Sequence, residues 1–267
     1  MSVGRIRAVV RKELRDFGRN RSIVITMGVL PLVFLIAPTI TMIRIPDSTT
    51  GTVVTRAVGV TSLLLLIVPV VIPPIITGYS IIGERDQGTL EPVLTTPIRR
   101  EELLLGKALA AFVPSVTVAY AIYAVFAVIV RLFASPTVSG VVWHAPQVLT
   151  QVLFIPLLAV WSIWVGIAMS ARSSDVRVAQ QLATLGSLPA LAIVSLIQFQ
   201  VITPSVPLAI GLALGLLVID LAGWRFVAQL FDRERLITGA SSTRTEGRPR
   251  DGDRVAAAPA DADRPLR

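Results

Sequence analysis

No cysteine occurs among the 267 residues, so disulfides and thiolate metal sites are excluded. The single histidine, His144, leaves no histidine-rich ligand cluster, and no nucleophile–base set suggests an enzyme. The phosphate-cradling pattern G-x-x-x-x-G-K-[ST] is missing as well. Gly106-Lys107 is followed by Ala108, and no glycine stands five residues before Gly106. Charge is scarce: 16% of the residues are charged, against roughly 25% in a soluble domain. Hydrophobic residues make up 53%, and the mean hydropathy is +0.72. That is the composition of a membrane protein, without metal, cofactor or nucleotide chemistry of its own.

What the chain has instead is a series of long uncharged runs. A helix needs about 20 mostly apolar residues to cross roughly 30 Å of hydrocarbon. On that measure the first span is Ser22–Ile43, interrupted by Pro31 and Pro38, and the second lies within Ala57–Gly83. Pro69, Pro73 and Pro74 predict a kink in the second. The third is Ala108–Val130 and the fourth Val148–Met169. Arg44–Arg56 and Ser170–Arg177 read as turns, and Arg131–Gln147 as a loop whose Trp143 and His144 anchor it at an interface. The run Val178–Ile219 is too long for one crossing, and Gln198, Gln200, Pro204 and Pro207 mark a turn near its middle. The expected architecture is all-α with six transmembrane helices. The first run exceeds a signal-peptide core and no Ala-x-Ala-like site follows it, so it reads as a retained span.

The net charge of +8 is gathered beside the apolar runs. With six spans, 22 of the 25 basic residues fall on one side and three, Arg44, Arg56 and Arg131, on the other. The crowded side is therefore expected to be cytoplasmic, with both termini there. A nucleic-acid partner would want the basic residues on one folded face. Residues 1–21 predict an interfacial amphipathic helix: Val3, Ile6, Val10, Leu14 and Phe17 share a face, while Arg11, Lys12, Arg15 and Arg19 look towards anionic headgroups. Glu13 breaks the pattern at the edge of the apolar face. Either it reaches to the interface or a nearby arginine, or it ties this helix to the charged segment Glu84–Lys107. Residues 22–227 are the spanning domain, and 228–267 a cytoplasmic tail. From about residue 237 the tail is too poor in large apolar residues to fold.

The most unusual stretch is Glu84–Lys107, E-R-D-Q-G-T-L-E-P-V-L-T-T-P-I-R-R-E-E-L-L-L-G-K, a highly charged loop between two spans. Thr89 can cap a short helix over about Leu90–Thr95, with Glu91 at its positive end. Thr96 as N-cap and Pro97 at the first position predict a second helix carrying Arg99, Arg100, Glu101 and Glu102 into the third span. The alternative is a merely solvated connector.

This stretch resembles the signature of the type-2 ATP-binding-cassette (ABC) transporter permeases at Glu84, Gly88, Thr89, Leu90, Glu91, Pro97, Arg100, Glu102, Gly106 and Lys107. Pro92 and Val93 depart from it. R-K-E-L-R at Arg11–Arg15, with Glu13, is similar to the family's elbow helix, and F-D-R-E-R-L at Phe231–Leu236 is also similar. The resemblance implies that Glu84–Lys107 holds a coupling helix that docks on a separate ATPase subunit. Glu91 and Arg99 or Arg100 would be its contacts, and Gly88, Thr89 and Pro97 would set its shape. It also implies two copies of the ATPase, a second permease chain (the same or different), a plasma-membrane location and export of an unknown substrate.

Asp220 is an ionisable residue inside the last apolar run, and two readings stay open for it: a pair with Arg225 near the membrane edge, or a role in transport. Tyr120, Tyr123, Gln180, Gln181, Gln198 and Gln200 either line a route or bond helix to helix. The rival functions are an ATP-independent secondary transporter or channel, which would need a mid-membrane ion site, and a membrane scaffold or assembly factor.

Overall fold

The computed structural model describes residues 2–86, 99–199 and 205–230, within one compact unit, Met1–Asp232. The elements there are helices: α1 (Val3–Arg19), α2 (Arg21–Ile43), α3 (Gly51–Asp86), α4 (Arg100–Phe133), α5 (Pro136–Val142), α6 (Ala145–Arg172), α7 (Val176–Gln198) and α8 (Val206–Leu230). Six contain a stretch long and apolar enough to cross a membrane: Ile23–Ile43, Gly51–Ser80, Glu101–Phe133, Ala145–Arg172, Val176–Gln198 and Val206–Val227. The number and order of spans are those the uncharged runs predict, including the division after Gln198.

Several boundaries differ from expectation. α3 begins at Gly51, not Ala57, and carries Arg56 within its first turns. Val54 and Val58, one turn apart, are both buried, whereas Arg56 is exposed on another face. The charge therefore interrupts the apolar run without ending the helix. Likewise, Arg131–Gln147 contains a short helix, α5. Ser135 Oγ accepts from the Val138 amide at 3.4 Å, and Pro136 occupies the first turn, where its missing N–H costs nothing. α7 has a clearer cap, with Asp175 Oδ1 accepting from the amides of Arg177 (2.7 Å) and Val178 (3.1 Å).

α3 is the centre of the bundle. It packs against α2, α4, α5, α6 and α7, and two thirds of its apolar stretch is buried, against under a quarter for α8. It stays helical through Pro69, Pro73 and Pro74. α8 packs on α6 and leaves Leu214, Val218 and Leu221 exposed, as a lipid-facing helix does. One end of the core is a cluster that joins Leu35 and Met42 of α2, Val54 and Val58 of α3, Phe126 and Val130 of α4, and Val138 and Val142 of α5. At 1.5 Å per residue, the 36 residues of α3 run about 54 Å and the 34 of α4 about 51 Å, well beyond roughly 30 Å of hydrocarbon. The C-terminal part of α3 and the first turns of α4 are held beside α1.

Candidate functional site

The buried side of α1 consists of Val9, Glu13 and Phe17, each one turn from the next. A carboxylate in such a strip must find partners or lose its charge. Glu13 finds them on two other helices. Lys107 Nζ of α4 stands 2.9 Å from Glu13 Oε1, and Ser80 Oγ of α3 donates to Oε2 at 2.9 Å. Lys107 Nζ also donates to the carbonyl oxygen and the hydroxyl oxygen of Ser80, each at 3.0 Å. Lys12 Nζ approaches Glu13 Oε1 at 3.5 Å from the solvent side. Glu13, Ser80 and Lys107 are all buried. They close a polar ring that binds α1, α3 and α4 to one another, with the ammonium and both carboxylate oxygens satisfied as a buried pair requires.

Gly106 makes the approach possible. A Cβ at that position would come within 2.6 Å of Val9 Cγ1 and 2.7 Å of Val9 Cβ. Only the bare backbone of glycine lets α4 come close enough to α1 for Lys107 to reach Glu13. The Gly-Lys pair is thus one device, a close approach followed by an ionic bond.

A second tie lies nearer the start of both helices. Glu102, buried in the first turn of α4, accepts from the Ser2 amide at 2.6 Å through Oε1. Its Oε2 accepts from the Arg99 amide at 3.2 Å and from Arg5 Nη1 at 3.4 Å. It satisfies a free amide ahead of each helix, the usual work of a helix cap. This corrects the expected start of the second loop helix. The helix begins at Arg100 and not at Pro97, because Arg99 is extended (φ −70°, ψ 142°) and Glu102 reaches back to its amide.

Of the other predicted coupling residues, Gly88, Thr89, Leu90, Glu91 and Pro97 lie outside the described residues. Glu84 is in the last turn of α3, Arg99 is exposed just before α4, and Arg100 opens α4. The segment 87–98 is therefore flanked on one side by the helix carrying Ser80 and on the other by the helix carrying Glu102 and Lys107. Ser80, Ser2 and Arg5 were not singled out from the sequence. A serine in an apolar helix usually bonds its own helix four residues back, as Ser115 Oγ does to the Ala111 carbonyl at 2.8 Å.

Asp220 sits elsewhere, between α8 and α6. Trp164 Nε1 donates to its Oδ1 at 3.1 Å, while Oδ2 has no hydrogen-bond partner among the described residues. Its partner is thus Trp164 rather than Arg225, which is exposed. Gly223 lets the indole lie flat on α8, since a Cβ there would come within 2.5 Å of Trp164 Cε2. Trp161 packs against Trp164 with ring centroids 5.0 Å apart.

Among the polar residues that could have lined a route, several bond helix to helix. Tyr120 Oη donates to the Val152 carbonyl at 2.7 Å, and Gln180 Nε2 to the Ile75 carbonyl at 3.2 Å. Gln198 accepts from Gln147 Nε2 at 3.0 Å, and the same nitrogen donates to Ser62 Oγ. Among the described residues no three His, Asp or Glu side chains converge on a metal-sized site.

In comparisons with known proteins, the family model described as ABC-2 family transporter protein matches residues 7–206. No curated protein matches the chain.

Proposed function

The chain belongs to the ABC-2 family of transporter proteins, and we propose that it is the membrane-spanning permease of an ATP-driven exporter whose nucleotide is bound by separate ATPase subunits. Two permease chains pair, and one ATPase docks on the Glu84–Lys107 segment of each. Glu91 and Arg99 or Arg100 make the contacts, while Gly88, Thr89 and Pro97 shape the docking helix. Both termini lie on the cytoplasmic side of the plasma membrane, in keeping with 22 basic residues on that side against three on the other.

The observation that carries this reading is the ring of Glu13, Ser80 and Lys107. It joins the helices on either side of segment 87–98 to one interfacial helix. A push on that segment then moves α1, α3 and α4 together, where an untied loop would only bend. α3 packs against most of the other spans, so such a push reaches the whole bundle.

The test is affinity purification of the tagged chain in mild detergent, with identification of its companions by mass spectrometry. A stoichiometric ATPase subunit is expected, and Glu91→Arg should abolish its capture while membrane insertion persists. A preparation without an ATPase after cross-linking would overturn the reading.

A further inference from the structure

The side of α1 that turns away from Glu13 carries a different chemistry. Arg7, Arg11, Arg15 and Arg19 recur every four residues, and all are exposed. Residues four apart are neighbours on a helix surface, so these side chains form one winding row. With Lys12, Gly4 and Ala8 they line a shallow, open groove of about 830 Å³ along this one helix. Asp16, at 3.9 Å from Lys12, is the single acid along it. Five cations against one carboxylate make a site for an anion.

The surroundings say which anion. α1 ends at Arg19 and the first membrane span begins at Ile23, so the Arg19 end of the groove lies within a few residues of the hydrocarbon boundary. Val3 and Leu14, four before and seven after Arg7, share its row and are also exposed. Apolar side chains beside cations suit a bilayer surface, where the first enter the hydrocarbon and the second meet headgroups. They suit an acidic protein surface poorly.

We propose that this groove binds the phosphodiester headgroup of an anionic phospholipid, with Arg7, Arg11 and Arg15 as its direct contacts. The guanidinium fork matches phosphate oxygens in pairs. Lys12 stands at the groove and also reaches Glu13 Oε1 at 3.5 Å. A bound headgroup and the buried carboxylate therefore share one cation, which brings lipid charge to the edge of the α1–α3–α4 ring.

The test uses the full chain alone, so it does not depend on any ATPase. The protein is released from nanodiscs containing phosphatidylcholine and phosphatidylglycerol in equal parts, and retained lipid is read by native mass spectrometry. The wild type should retain phosphatidylglycerol preferentially, and less so at higher salt. Arg7→Gln, Arg11→Gln and Arg15→Gln together should reduce that preference by roughly one to two orders of magnitude, given the attraction of each cation to an anionic surface. Arg7→Lys, Arg11→Lys and Arg15→Lys together keep the charge and should keep most of the preference, which also controls for folding. No preference in the wild type, or an equal preference in the glutamine variant, would overturn the proposal.

Discussion

Glu13 and Lys107, 94 residues apart in the chain, are joined by a 2.9 Å ionic bond with both side chains buried. The pair connects α1 to the first turns of α4, and Ser80 brings in α3.

Removing one member of a buried pair leaves the other charge without compensation, at about 3–5 kcal/mol. Lys107→Met or Glu13→Leu alone should destabilise the detergent-solubilised protein by that order, read as the shift in its denaturation midpoint. The double variant should recover much of the loss, because two apolar side chains can fill the same space. Additive losses would show that the pair is not coupled.

Gly106→Ala should be costly although alanine favours helices, because its Cβ meets Val9. Overpacking of this kind costs about 1–3 kcal/mol. Val9→Ala in the same chain should restore only part of it, since it removes Cγ1 but leaves the Cβ that a Gly106 side chain would also meet, and Val9→Gly should restore more. If Gly106→Ala is neutral by itself, α4 does not need the close approach described above.

Trp164→Phe removes the described donor to Asp220 and should destabilise the protein by about 1–3 kcal/mol. Asp220→Asn keeps an oxygen for the indole and should preserve both stability and transport. Loss of transport in a stable Asp220→Asn protein would show that the carboxylate does more than tie α8 to α6.

The lack of cysteine makes single-cysteine labelling straightforward. Ser48, in the turn before α3, and Ser174, in the turn before α7, are both exposed and belong to opposite sides in the proposed topology. Ser48→Cys should react with an impermeant maleimide in intact cells, and Ser174→Cys only after permeabilisation. The reverse pattern would invert the chain in the membrane.

The six spans were readable because each is an uncharged run of bilayer length, and the split of the longest run was marked by Gln198, Pro204 and Pro207. Glu13 was visible as a carboxylate in an apolar strip, and Lys107 as the end of a charged segment. A tie from Glu13 to the Glu84–Lys107 segment was one of the two readings open in the sequence, but Lys107 as the partner was not visible, since nothing local relates residues so far apart. The start of α4 was misplaced because Thr96-Pro97 is a good local signal, yet the Glu102 carboxylate sets the helix start at Arg100. Arg225 looked like the partner of Asp220 by nearness in sequence. Trp164, 56 residues away, takes that place because α6 packs against α8.

The ring also has a consequence for synthesis. Glu13 is made early, but its cation is made 94 residues later, a delay of about 5–20 seconds at 5–20 residues per second. Through that interval α1 has no buried place to lock into, although its own first span is already available for insertion. The ring thus closes only once the first turns of α4 have been made. A chain cut short before Lys107 would keep Ser80 and Lys12 beside Glu13 but lack the buried cation that completes the ring.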